Sequence, residues 1–179
     1  MAEETSMIWT ARLADAATLA NLRRNTASIG DFIVGLDCDE DDLDAPADVH
    51  NPALPFDLDT QWQAIHFLLT GSAGPTDGPL SVIVGKFEKL GKDLGFGPAW
   101  VVPAEAIAAA DAALKALGQT ELAKRYDTKA MVAAQVYQAK ALAEDGPGGI
   151  EFVMDDVARL RSFLAEGAKR KMAALAVIA

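Results

Sequence analysis

The chain has 179 residues, 51% hydrophobic and 23% charged, which is apolar material enough for one packed domain and argues against disorder. A formal net charge of −10 and the single cysteine Cys38 argue against nucleic-acid binding and exclude an internal disulfide framework. The acidic opening MAEETS leads into no continuous apolar run, and Glu105, Asp111 and Lys115 interrupt the Ala-rich stretch 104–117, so a soluble cytoplasmic protein without signal or membrane span is expected.

Residues 1–6 read as a polar tail and 7–179 as one domain. Met7–Leu13 (MIWTARL) alternates partly and reads as a strand. Asp15 is placed to cap a helix to about Asn25, with Ala16, Leu19, Ala20 and Leu22 on its apolar side. Ile29–Leu36 is apolar and fits either type. Asp37–Phe56 is acidic, contains Pro46, Pro52 and Pro55, and reads as a loop. In Asp57–Gly71 (DLDTQWQAIHFLLTG) a short apolar helix follows. Thr60 and Gln63 have capping-box spacing there, and Gly71 fits a left-handed stop.

Ser72–Pro79 must turn, and Leu80–Val84 reads as a short strand or helix end. Lys86, Lys89 and Lys92 form a basic stripe, a solvated face or a counter-patch to the acidic region. Pro98 makes Phe96–Val102 extended, and Pro103 opens a helix to about Leu117. Glu121–Tyr126 and Lys129–Val136 read as short helices, and Ala143–Gly149 as a break. Phe152–Lys169 has the strongest helical periodicity, and Ala173–Ile178 reads as a final strand that can lie beside the first. With helices grouped in the C-terminal half, the pattern predicts an α+β domain with a small mixed sheet.

Charge is segregated. From Asn25 to Gly85 there is no Lys or Arg, while eleven acids fall there, among them Asp37, Asp39, Glu40, Asp41, Asp42, Asp57 and Asp59. The rest of the chain is close to neutral. Such a region repels nucleic acid and anionic membranes and suits a cationic partner, cations or plain solubility.

Trp62, Ile65, His66 and Leu69 share one face of the short helix. A buried, unpaired polar ring costs about 1–3 kcal/mol, so His66 needs a partner: a backbone carbonyl in a structural role, or a ligand in a functional one. Asp37, Asp39 and Asp41 match the first three positions of a calcium loop. Asp42 stands where its glycine belongs and Asp48 where its longer Glu belongs, so no metal site is expected. His50, His66 and Cys38 are too few for zinc, and no nucleotide or other cofactor motif is complete.

The run Asp57, Asp59, Trp62, Ile65, His66, Leu69, Thr70 and Gly71 resembles the YfbM-like family of bacterial proteins, a domain of unknown function. Met7–Ile8, Pro79–Leu80, Gly85, Gly95, Gly97–Pro98–Ala99, Pro103–Glu105, Arg125–Tyr126–Asp127, Met131, Tyr137 and Leu160–Phe163–Ala168 extend the resemblance over nearly the whole chain. The chain departs from the pattern at Lys86, where a second Gly is usual, and at Gln138, where a Pro follows the Tyr. The resemblance implies a compact α+β domain and no particular activity.

Two functions fit these residues. One is a non-catalytic binding module whose acidic surface (Asp37, Asp39, Asp41, Asp42, Asp57 and Asp59, with Trp62, His66 and Tyr126) takes a basic protein, immunity-like neutralisation being one form. The other is a hydrolase-type enzyme with a cleft around His66, Tyr126 and Asp57 or Asp59.

Overall fold

The apolar runs at the two ends of the chain meet. In a computed structural model describing residues 5–39 and 49–179, strand β1 (Trp9–Ala14) pairs antiparallel with strand β5 (Ala173–Ile178), Trp9 opposite Ile178 and Ala14 opposite Ala173. Strand β2 (Phe56–Asp57) flanks β1, and β4 (Pro98–Val102) then β3 (Glu88–Asp93) flank β5, in the order β2-β1-β5-β4-β3. Every pairing in the sheet is antiparallel, where a mixed sheet was expected. The short link between β3 and β4 cannot hold the crossover of a dozen or more residues that a parallel pair needs. The connection from β4 to β5 is instead five helices: α4 (Ala104–Ala116), α5 (Gln119–Lys124), α6 (Thr128–Ala133), α7 (Ala139–Glu144) and α8 (Pro147–Arg170). The expected grouping of helices in the C-terminal half holds, and the fold is α+β.

The central strands are buried on both faces, which is why AALAVI carries no polar residue. Ala174 and Ala176 of β5, with Trp9, Ala11 and Leu13 of β1, face the larger core under α4 and α8. Leu175 and Val177 face a smaller core built with Leu19 and Leu22 of α1 (Ala16–Arg24) and Ile29 and Ile33 of α2 (Ile29–Val34). Asp15 caps α1 as read, its carboxylate accepting from the Thr18 amide at 2.7 Å.

Three readings shift. Leu80–Val84 forms neither strand nor helix; it turns, buries Val82 and Ile83, and offers the Ile83 carbonyl to Trp9 Nε1 at 3.0 Å. Most of the basic stripe is edge strand β3, concealed because five of its six side chains are exposed and so show no alternation. Helix α8 starts earlier than read: Gly146 is its N-cap and Pro147 its first residue, where a missing N–H costs nothing.

Gly149, in the first turn of α8, is a packing constraint. A Cβ there would sit 2.8 Å from the Leu142 carbonyl oxygen and 2.7 Å from the Tyr126 hydroxyl. Gly149→Ala gains at most about 1 kcal/mol of helix propensity, whereas overpacking against backbone costs about 1–3 kcal/mol. Urea unfolding is expected to show a net loss of stability.

Candidate functional site

The Trp62 helix, α3 (Trp62–Thr70), follows a 3-10 turn at Asp59–Gln61 and stops at Gly71, whose φ is 75°. Trp62, Ala64, Ile65, His66, Leu68 and Leu69 are buried. No side chain caps its start, so the expected capping box is absent. Gln63 is drawn away: its amide donates to the Ala73 carbonyl at 2.8 Å and accepts from the Tyr137 amide at 2.6 Å. Trp62 Nε1 donates to the Met7 carbonyl at 3.0 Å, and Arg125 donates to the Leu69 carbonyl at 3.2 Å.

His66 is fully buried, and its Nε2 lies 2.8 Å from the Gly74 carbonyl oxygen. A carbonyl only accepts, so Nε2 carries the proton and the ring is a neutral donor. Burial pushes the His66 pKa down, and the Gly74 bond opposes this. Neither Asp57, Asp59 nor Tyr126 bonds to it. Asp57 accepts from the Asp59 amide at 3.1 Å, and Asp59, at φ 47°, accepts from the Thr60 amide at 2.8 Å. These two carboxylates shape a turn. Tyr126 is elsewhere, its hydroxyl buried without a partner against Gly149; burial first, then the Asp145 charge, push its pKa up.

Of the acidic stretch, Asp37 and Asp39 are described, while Asp41, Asp42 and Asp48 lie outside the described residues. Asp37 holds Arg12, which is only 6% exposed. Arg12 Nη1 meets Asp37 Oδ1 at 2.5 Å and the Phe32 carbonyl at 2.9 Å, Nη2 meets Oδ2 at 3.3 Å, and the guanidinium lies 4.5 Å from the Phe32 ring centroid. The Arg12 hydrogen bond holds the Asp37 carboxyl below its ordinary range. Both oxygens of Asp37, the first residue of the partial calcium-loop match, are thus engaged by the Arg12 guanidinium.

The chemistry that sequence reasoning passed over is on α8. Asp156, Arg159, Phe163, Glu166 and Arg170 recur every three or four residues, one face of a helix. Phe56 stacks on Phe163 (centroids 4.8 Å, planes at 19°), and His50 meets Phe56 and Phe163 edge-on at 5.7 and 5.0 Å. Arg159 lies over Phe56 at 5.2 Å and pairs with Asp156 at 2.8 Å. Burial chiefly raises the Asp156 pKa, and Asp57 and Asp59 add to it. Burial chiefly pushes the His50 pKa down to about 4; Glu166 opposes this and Arg159 adds to it. The signal was present in the sequence as charged residues alternating with Phe163 on a stripe that must face protein.

One of two clefts shares Arg170 with this stripe, and the other shares none of its residues. One, of about 400 Å³, lies between Arg12, Asp37, Pro52, Ala53 and Arg170. The other, of about 720 Å³, runs along Thr5 and residues 135–141, where Gln135 and Gln138 adopt φ of 57° and 61°. Proline's ring forbids such a φ, so the turn after Tyr137 is closed to the proline of the family pattern. His66 lines neither cleft.

His66→Gln is expected to lower stability at pH 7 by about 1–3 kcal/mol, because the Gly74 carbonyl loses its positioned donor. The depressed His66 pKa also makes stability fall as pH drops below 6.5, because only the unfolded chain takes up the proton there. Urea unfolding at pH 7 and pH 5 should show a smaller pH loss in the variant.

Residues 6–177 match the family described as a domain of unknown function (DUF1877). No curated protein matches the chain. Among solved structures, a protein of unknown function, YfbM from Escherichia coli, superposes with a TM-score of 0.64 at 21% identity, over 97% of this chain and 99% of that one. That likeness extends the shared fold to both chains end to end. The chain belongs to the DUF1877 family, a domain of unknown function.

Proposed function

We propose that this protein is a non-catalytic binding module that presents an acidic surface to a basic protein partner, immunity-like neutralisation being one form. The observation that carries this reading is charge segregation: eleven acids and no Lys or Arg between Asn25 and Gly85. Asp31, Asp39, Asp57 and Asp59 are exposed within it. Val34 and Leu36, just ahead of Asp37, are 66% and 73% exposed. Large apolar side chains beside carboxylates suit a protein surface better than a simple cation. The hydrolase reading has less support, since His66 is sealed and already bonded.

The acids divide into two classes with different expected behaviour. Asp37→Asn leaves the buried Arg12 short of its counter-charge and should cost on the order of 1–3 kcal/mol in urea unfolding. Asp39, Asp41, Asp42 and Asp44 changed together to Asn remove four charges from the acidic stretch. The same variant should weaken binding to a purified basic partner at least about tenfold, mainly through slower association. Surface plasmon resonance at 50 and 300 mM NaCl checks this. Binding indifferent to both salt and the four substitutions would sink the acidic-surface reading.

A further inference from the structure

The limb by which the acidic stretch returns to the fold lies along the α8 stripe, and His50 is its least satisfied group. Among the described residues the buried His50 Nε2 has no hydrogen-bond partner, and its ring meets Phe56 and Phe163 edge-on. The charged groups that act on it come from α8. Glu166, only 6% exposed, would attract an imidazolium, but its carboxylate is already approached by Arg170 at 3.4 Å and Lys169 at 3.6 Å. Arg159, held over Phe56 and paired with Asp156, would repel one. Asp57 and Asp59, just beyond the limb, act on Asp156. An added proton would therefore place a second cation near Arg159, on a buried nitrogen with no acceptor among the described residues. Lifting the limb would return that cation to water.

We propose that His50 is a proton-operated latch: the neutral ring seats residues 49–55 against Phe56 and α8, and protonation expels it from the Phe56–Phe163 box and frees that limb. The sign follows from linkage. The seated ring is held from the ordinary 6.5 down to about 4, whereas a lifted ring titrates at the ordinary value. Acid therefore favours the lifted limb progressively as pH falls from 6.5 towards 4, by about 30-fold at pH 5. The latch stands whether or not the acidic stretch binds a partner.

Hydrogen exchange on the full chain tests it. The Ala53 and Leu54 amides, bonded to Asn51, report the limb. Their protection, corrected for intrinsic exchange, should fall about 20-fold between pH 7 and pH 5 while α8 amides hold. His50→Phe fills the box without a titratable group and should abolish that pH dependence. An equal loss of protection in the variant would overturn the latch by assigning the effect to other groups. Should the variant not fold, the NMR titration of His50 in the native chain decides: a midpoint below 5 supports the latch, and one near 6.5 overturns it.

Discussion

Helix α3 sets the terms for the structure around it. A helix enclosed on most sides has no water for its polar side chains, and stranding one costs about 1–3 kcal/mol. The polar groups on α3 meet that requirement by fastening different pieces of chain, while His66 Nδ1 has no partner among the described residues. Trp62 holds Met7, Gln63 holds both Ala73 and the Tyr137 turn, and His66 holds Gly74. Its last carbonyls are met in turn by Thr70 and Arg125. The loops thus take their positions from the needs of a buried helix. A Trp–His pair in an apolar run, the pattern that invites a catalytic reading, here marks a junction.

A second constraint comes from the sheet. Burial of β1 and β5 on both faces leaves no solvent for a charge, yet β1 carries Arg12. The strand accommodates it because Asp37 and the Phe32 carbonyl reach in from the end of α2 and just beyond. The first acid of the acidic stretch is therefore a structural counter-ion. Cys38 donates to the Ala53 carbonyl at 3.1 Å, and Gly35 is so close to Pro55 that a Cβ would stand 2.8 Å from its ring. Entry to and exit from the stretch are held side by side.

Legibility followed how many neighbours decide each residue. β1, β5, α1 and the later turns of α8 were readable because local patterns and burial agree there: AALAVI for a two-sided strand, Asp15 for a cap, Val153–Val157–Leu160–Leu164 for a helix face. Strand β3 was not, since Glu88–Asp93 is specified by backbone pairing with β4 and hardly at all by side-chain burial. The capping box failed because long-range partners at Ala73 and Tyr137 outcompeted a local bond for Gln63. Of the candidate site, the chain's charge and the burial of His66 could be read. The union of His50, Phe56, Arg159 and Glu166 depends on a contact across more than 100 residues, which no local spacing announces.

These constraints separate the acids by role. Asp37 balances Arg12, Asp57 and Asp59 close a turn and face Asp156, and Asp15 caps a helix. Each has a folding reason to exist. Asp31 is exposed in the first turn of α2, where its charge complements the helix's positive end. Like charges kept this close cost stability unless something external offsets them. A segment that has excluded every Lys and Arg over some sixty positions, while the remaining chain mixes signs freely, forgoes the cheap local remedy of interspersed cations. On the reading proposed above, a cationic partner would offset that repulsion.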